Sequence, residues 1–401
     1  MKLVILSQFS LGILFGVVIA CSPTKFNPVT SVNSVCDATV TNCVVEQGFI
    51  NLTQNFEVGA GKVDILFVND NSASMSPIQI KLKDRFAGFI QNLESKKIDY
   101  RIAVTTTDLA AVQKNRLITL ENSKSFISNA DSNKLALFNK AIVRTETLRC
   151  EDFIIAMFNT FGSSFQTQGV YASQYSTKCP SPDTRGTYTS LLAVSESAET
   201  FIRSDANLNV IVISNDEVRQ GRFNLANSDP RFLPLEQNDK AESFISLMQQ
   251  KYPNKYWDYN SIVVKDSVCR DSQVLKNAQG QVVTSQAGGP AIAGGIGAEY
   301  AKISNSAALD IDNNPRSRGQ ILNICEEDYT QHFSNMATKI AEEARMLNLK
   351  CKPASAPVVN YLDGSSVPTS LYTWNADKIT FRRGSEGAQV AIQYKCYNGP
   401  L

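Results

Sequence analysis

Residues 63–75 read V-D-I-L-F-V-N-D-N-S-A-S-M, and this stretch decides the fold. Its first six residues form a mostly apolar run, which predicts a strand buried on both faces. The strand leads directly into Asp70, Ser72 and Ser74, which are spaced by two residues on one turn. Open α/β sheets bind ligands at the carboxyl ends of their strands, so these side chains are expected to converge there on one hard cation such as Mg²⁺.

Strands alternate with helices across residues 60–350. Apolar runs at 100–105, 210–213 and 261–264 predict further strands, and amphipathic segments between them predict helices. This alternation is typical of an α/β fold with a Rossmann-like, mostly parallel sheet that carries helices on both faces. Residues 351–401 instead show short strands with period-two alternation, which predicts a small C-terminal antiparallel β domain.

Local signals add detail to the larger domain. Ser76, Pro77 and Gln79 indicate a helix start with a capping box. Residues 117–120 are expected to form another strand. Residues 163–186 contain two prolines and are expected to form a loop.

The stretch from 63 to 75 resembles the von Willebrand factor A-type (VWA) domain, whose D-x-S-x-S motif belongs to a metal-ion-dependent adhesion site (MIDAS). The resemblance implies a threonine on a second loop, and the sequence G-T-Y-T at 186–189 supplies Thr187. It also implies an aspartate just after a later strand, where V-I-V-I-S-N-D-E supplies Asp216. The family usually has that aspartate one residue earlier, where Asn215 stands, so the register of this third loop stays open.

The resemblance therefore defines a candidate site at one edge of the sheet. The implied metal ligands are Asp70, Ser72, Ser74, Thr187 and Asp216. The residues that could line the ligand-binding edge beside them are Asn71, Asp108, Asn215 and Glu217. If Asn215 takes the place of Asp216, the site loses one negative charge and its metal affinity falls.

Other motifs narrow the resemblance to a group of predicted bacterial lipoproteins that carry a VWA domain. Gly297 to Tyr300 match a G-x-x-Y pattern of that group, and Ile324 to Tyr329 match its I-C-x-x-D-Y pattern. Trp374 stands where the group has a tryptophan in a small β domain.

The first twenty residues read as a secretory signal, with one charged residue before a long apolar run. The run ends in Val18-Ile19-Ala20-Cys21, which resembles the bacterial lipobox. That resemblance implies a signal peptide over residues 1–20 and lipidation of Cys21, and Ser22 favours the outer membrane. Residues 21–59 are then a lipidated tether with a small disulfide loop. An uncleaved membrane anchor or simple secretion is the alternative.

The chain has nine cysteines, and lipidation of Cys21 leaves an even number. An even number in an exported chain predicts disulfides, although sequence alone does not choose among the many connectivities. Pairing nearest neighbours along the chain gives Cys36–Cys43, Cys150–Cys179, Cys269–Cys325 and Cys351–Cys396.

Composition excludes several classes of function. The formal net charge is +1, which argues against a nucleic-acid-binding surface. The single histidine excludes a multi-histidine zinc site. No nucleophile motif such as G-x-S-x-G is present, so the protein is not expected to be an enzyme.

The sequence thus predicts an envelope lipoprotein that binds a protein, or another acidic ligand, through a divalent cation. The expected cation is Mg²⁺, with Mn²⁺ or Ca²⁺ as substitutes, and the expected role is adhesion or envelope interaction. A partner Asp or Glu would fill the open coordination position. The alternative is a structural scaffold lipoprotein whose VWA fold needs no metal, and a hydrolase is the third reading.

Overall fold

The computed structural model describes residues 36, 40–59, 61–109, 116–197, 200–219, 235–253, 255–291, 294–310, 314–343, 345–382, 384, 385 and 387–398. The predicted signal peptide and Cys21 lie outside the described residues. Within those ranges, no helix combines the length and the apolar character needed to cross a membrane.

The strands, in chain order, are Asn42–Glu46 (β1), Phe49–Glu57 (β2), Lys62–Asn69 (β3), Asp99–Thr106 (β4), Ile127–Ser128 (β5), Asn207–Ser214 (β6), Trp257–Val263 (β7), Ala307–Leu309 (β8), Pro315–Ser317 (β9), Ile321–Asn323 (β10), Met346–Asn348 (β11), Val358–Tyr361 (β12), Tyr372–Asn375 (β13), Lys378–Phe381 (β14) and Gln389–Tyr397 (β15). The α-helices are Ser76–Ser95 (α1), Lys134–Ile142 (α2), Thr145–Phe161 (α3), Gly169–Lys178 (α4), Gly186–Glu196 (α5), Ala241–Lys251 (α6), Ser267–Ser272 (α7), Ala298–Asn305 (α8) and Thr330–Glu343 (α9).

A six-stranded sheet forms the centre of the larger unit. Its strand order is β10-β7-β6-β3-β4-β5. All neighbouring strands are parallel except the short edge strand β5, which is antiparallel to β4. The predicted mixed α/β fold with a mostly parallel sheet is therefore confirmed. The chain runs from β3 outward to β5 and then returns to β6 on the other side of β3, so the strand order reverses between β3 and β6.

Helices cover both faces of this sheet, which explains why the residues of β3, β6 and β7 are buried almost throughout. Ile65 and Phe67 of β3 face one core, to which α1, α2 and α9 contribute side chains. Leu66 and Val68 face the other core, which contains side chains of α5, α6 and α8. This alternation follows from the two-residue period of a strand. The central strand is consequently packed on both faces, and the loop that follows it starts from a well-defined position.

The second unit is built from both ends of the described chain. Its four-stranded antiparallel sheet has the order β1-β2-β15-β12. A three-stranded sheet, β11-β14-β13, packs with it around one apolar core. Strand β2 pairs with β15 over nine residues of each strand. The predicted C-terminal β domain is present, but it includes residues that lie far earlier in the sequence.

This pairing corrects the predicted tether at residues 21–59. Residues 42–57 are strands of the β unit, because Ile50 and Leu52 alternate with polar residues and are buried in its core. The β15 partners of β2 lie more than three hundred residues away, and local patterns carry no signal of such pairing. The domain boundary near 60 consequently separates two folded units, and only residues before β1 can belong to a tether.

Three local predictions differ from the structure. Residues 163–186 contain helix α4 and a 3-10 helix at Gly162–Thr167, because Phe165 and Tyr171 pack into a small apolar cluster on α3. Residues 117–120 form no strand, and the Ile118 N–H donates to the Val104 carbonyl instead. Helix α1 begins at Ser76 without a capping box, since the Gln79 side chain points inward to other partners.

Each of the four cysteine pairs expected from nearest-neighbour order forms a disulfide. Cys150–Cys179 connects α3 to the end of α4, and Cys351–Cys396 closes the β unit. Disulfides persist in oxidising compartments, so the four bridges point to an extracellular or envelope protein.

Candidate functional site

The first loop of the candidate site follows β3. Asp70 is fully buried, and its Oδ1 accepts a hydrogen bond from the Ser72 N–H at 2.8 Å. Its Oδ2 accepts from the Ser214 hydroxyl at 2.6 Å, and the Thr107 hydroxyl also donates to this carboxylate. Residues at the carboxyl ends of β3, β4 and β6 thus hold the same carboxylate. The site lies where the strand order reverses, which is the usual ligand position in an open α/β sheet.

The two serine hydroxyls of the motif lie close together. Ser72 Oγ and Ser74 Oγ are 3.4 Å apart. The Ser74 hydroxyl also donates to Asn215 Oδ1 at 3.2 Å, and so joins the first loop to the third. The predicted convergence of side chains at 70, 72 and 74 is therefore present in the structure.

Thr187 lies in the first turn of α5, and the preceding residue explains the local sequence. A Cβ atom at Gly186 would lie 2.5 Å from the Tyr300 hydroxyl oxygen, so only glycine fits there. The Arg185 N–H donates to the Thr107 carbonyl at 2.9 Å, which ties the start of α5 to the residue that also bonds Asp70. Thr187 Oγ1 is buried and has no hydrogen-bond partner among the described residues. A buried hydroxyl without a partner is costly, so it needs an explanation.

The third loop presents both Asn215 and Asp216 at this edge. Asn215 is fully buried and contacts Ser74, while its Nδ2 has no partner within the described chain. Asp216 is partly exposed, and its N–H donates to Ser214 Oγ at 3.0 Å. The Asp216 carboxylate nevertheless lies close enough to Asp70 to be affected by its charge. Both residues considered for the third loop therefore lie at the site. Asn215 contacts the first loop, and Asp216 supplies the second carboxylate.

The electrostatics of the edge favour a cation. Burial raises the pKa of Asp70 even though three hydroxyls and one backbone amide donate to its carboxylate. Burial and repulsion from Asp70 raise the pKa of Asp216 well above its usual range. Two carboxylates this close to each other do not both ionise readily unless a positive charge compensates them.

The residues at this edge fit a hard divalent cation. In the part of the chain that the structure describes, no three His, Cys, Asp or Glu side chains cluster as a metal site. The predicted metal ligands are of a different type from such a cluster. They are two carboxylates and three hydroxyls, so every donor atom is an oxygen. Oxygen donors suit Mg²⁺, and the unpartnered Thr187 hydroxyl is available as a further ligand.

Three of the predicted edge residues have other partners. The Asn71 Nδ2 donates to Glu146 at 3.4 Å, and Asp108 accepts from the Ser181 N–H at 3.0 Å. The Glu217 carboxylate accepts from the N–H groups of Val218, Ala298 and Glu299, at the start of α8. Burial raises the pKa of Glu217 to about 7. These side chains fix the loops around the site, which differs from the expectation that they line a ligand surface.

Four residues outside the predicted ligand set support the site. Ser214 and Thr107 bond the Asp70 carboxylate directly. Gln79 and Thr147 hold the backbone of the first loop from helices α1 and α3. Ser214 ends β6, directly before Asn215 and Asp216, so its place in the sequence could have indicated a role at the site. Thr147 lies in an ordinary amphipathic helix, and nothing in the local sequence indicates that it contacts the site.

Comparison with known proteins finds no matching family model and no matching curated protein. Among solved structures, the chain is similar to the pilus adhesin SpaC from Lactobacillus rhamnosus GG, with 11% identity over 88% of this chain and 42% of that one, at a TM-score of 0.35. It is similar to a von Willebrand factor type A protein from Catenulispora acidiphila, with 10% identity over 88% of this chain and 61% of that one, at a TM-score of 0.31. It is also similar to the pilus adhesin RrgA from Streptococcus pneumoniae, with 9% identity over 90% of this chain and 60% of that one, at a TM-score of 0.28.

The chain spans less than two thirds of the length of each of these three proteins. All three TM-scores are low, so the description of the fold rests on the strand order and the packing given above. That strand order, with the first strand of the sheet at its centre and an antiparallel edge strand, is consistent with a VWA-like fold.

Proposed function

We propose that this protein binds a divalent cation at the carboxyl edge of its central sheet, and that the cation in turn binds an acidic group of a protein ligand. The observation that carries the proposal is the Thr187 hydroxyl, which is buried without a hydrogen-bond partner among the described residues. It lies in the first turn of α5, whose start is tied to Thr107 by the Arg185 N–H, and Thr107 also bonds Asp70. A bound cation would explain this hydroxyl, because the hydroxyl oxygen would then be one of its ligands.

The residues of the chain have distinct parts in this proposal. The hydroxyls of Ser72, Ser74 and Thr187 would hold Mg²⁺ directly. Asp70 and Asp216 would hold it directly or through water. The bound cation supplies positive charge for these carboxylates and leaves a coordination position open to an outside Asp or Glu. Mn²⁺ and Ca²⁺ are the substitutes to test.

One observation favours a scaffold without metal as the second candidate. The first loop already satisfies many of its own polar groups, because Asp70 accepts from Ser72 and Ser74 donates to Asn215. Such a loop can be ordered with no cation. The two candidates differ in one measurable property, which is whether a divalent cation binds and stabilises the protein.

The test is calorimetric titration of the purified protein with Mg²⁺. We expect binding that is lost in Asp70→Asn and retained in Asp84→Asn, a control at an exposed position of α1. The loaded protein is then offered two immobilised peptides that differ only in Glu against Gln. Binding of the Glu peptide alone, abolished by EDTA, supports the proposal. If the wild type does not bind Mg²⁺, the proposal is contradicted and the scaffold without metal is the better explanation.

We also propose a place for the protein in the cell. The four disulfides support an oxidising compartment, and the sequence ending in Cys21 supports a lipid anchor in the bacterial outer membrane. In this proposal the chain is a binding protein rather than an enzyme, and nucleic acid is not its partner.

A further inference from the structure

Helix α3 holds the backbone of the first site loop through a buried polar link. The Thr147 hydroxyl donates to the Asn71 carbonyl at 2.8 Å. The Gln79 amide donates to the Asp70 carbonyl at 2.9 Å and to Thr147 Oγ1 at 3.2 Å. Its oxygen accepts from the Arg144 N–H at 2.9 Å, just before α3 begins. The backbone carbonyls of Asp70 and Asn71 are thus fixed by side chains outside the loop.

The same helix also packs under the middle of the motif. Ala73, which separates the two serines, lies in one apolar cluster with Ile154 and Cys150 of α3. The Ser76 hydroxyl donates to the Glu151 carboxylate one turn away. Ala73 is nearly fully buried, so a shift of α3 would displace the backbone between Ser72 and Ser74.

A disulfide joins this helix to the segment that leads into the second loop. Cys150 of α3 is bonded to Cys179, and seven residues later the chain reaches Gly186. The Ser181 N–H donates to Asp108, and the Arg185 N–H donates to the Thr107 carbonyl. The covalent bond therefore connects the support of the first loop with the segment that positions Thr187.

We propose that Thr147 is a positioning residue for the cation, and that the Cys150–Cys179 disulfide locks α3 so that the first and second loops keep their spacing. The inference rests on the proposed function, since it concerns the affinity of the same site. Groups that hold metal ligands in place commonly contribute 10–100-fold to metal affinity, as a rough range. Neither Thr147 nor the disulfide contacts the cation in this proposal.

The experiment compares Mg²⁺ affinity in two matched pairs of variants. Thr147→Val removes the buried hydroxyl, while Thr160→Val removes an exposed hydroxyl of the same helix that donates to the Ala156 carbonyl. The pair Cys150→Ala with Cys179→Ala removes the bridge at the site. The pair Cys351→Ala with Cys396→Ala removes the bridge of the β unit, which lies in another core.

We expect Thr147→Val and the loss of Cys150–Cys179 each to raise the Mg²⁺ Kd by about tenfold or more, at a temperature where thermal melting shows every variant folded. Thr160→Val and the loss of Cys351–Cys396 should leave the Kd within about twofold. Thr147→Ser, which keeps the hydroxyl, should restore the affinity. That rescue distinguishes positioning from a general loss of stability.

The outcomes separate the two proposals. If the wild type binds Mg²⁺ and both site variants bind it equally well, the positioning role is overturned while the proposed function stands. If loss of Cys351–Cys396 weakens Mg²⁺ binding as much as loss of Cys150–Cys179, the specific role of the site disulfide is overturned. If the wild type binds no divalent cation, the proposed function fails and this inference fails with it.

Discussion

Replacing Thr187 by valine should stabilise the protein without metal and weaken its response to Mg²⁺. The hydroxyl is buried and has no partner among the described residues, and such a group costs about 1–3 kcal/mol of folding free energy. Valine keeps the shape of threonine and has a similar helix propensity. In EDTA, Thr187→Val should therefore gain about 1 kcal/mol in the free energy of unfolding, or roughly 2 °C in melting temperature.

Magnesium should reverse that order. At a Mg²⁺ concentration about 100-fold above its Kd, the wild type gains about 2.7 kcal/mol from binding. Thr187→Val lacks one ligand and should gain much less, so the wild type becomes the more stable protein. Urea unfolding followed by circular dichroism, in EDTA and in Mg²⁺, measures both free energies.

Thr189→Val is the matched control for this substitution. Thr189 is also fully buried in α5, but its hydroxyl donates to the Gly186 carbonyl at 3.1 Å. Its loss should lower stability by about 1 kcal/mol in both buffers and leave the Mg²⁺ effect intact. Should Thr187→Val destabilise the protein in EDTA, or respond to Mg²⁺ as fully as the wild type, the reasoning about the unpartnered hydroxyl is refuted.

Three further predictions address other parts of the molecule. Burial raises the pKa of Asp64 to about 6 despite its ion pair with Arg203, so its contribution to stability should fall by about 3 kcal/mol as the pH rises from about 4 through 6. Asp64→Asn should lack that slope in urea unfolding across this range, and an unchanged slope would exclude Asp64 as its source. Gly186→Ala should lower stability by about 1–3 kcal/mol because its Cβ meets the Tyr300 hydroxyl, and adding Tyr300→Phe should recover part of the loss in thermal melting. Cys21→Ser should move the protein from the membrane fraction to the soluble fraction and remove an acyl mass, whereas a protein that stays in the membrane would argue for a retained apolar anchor.

The central sheet could be predicted because its signals are local. Residues 63–68 are apolar on both alternating faces except at Asp64, and both faces prove to be covered by helices. The motif at 70–74 could also be predicted, because its three side chains lie on one turn and need no distant partner to come together. The sequence alone left the disulfide connectivity open, although nearest-neighbour order along the chain gives the pairs that the structure has.

The remaining features depend on contacts between distant segments. Strand β2 has a regular alternation, yet its partner β15 cannot be recognised from either sequence by itself. Helix α4 lies in a stretch with prolines nearby, and its packing on α3 through Tyr171 outweighs that local signal. At the site, Thr147 and Gln79 act on backbone carbonyls, so they belong to no motif of side-chain ligands.

The pairing of β2 with β15 has a consequence for how the chain folds as it is made and exported. Strand β2 is made early, but the strand that covers its edge follows more than three hundred residues later. Contacts this distant in sequence form slowly, and the central sheet can assemble from nearer neighbours first. During that interval β2 exposes one row of unpaired amide and carbonyl groups, which is a surface that other chains can join. We therefore expect folding to benefit from a factor that covers this strand edge until β15 has been made.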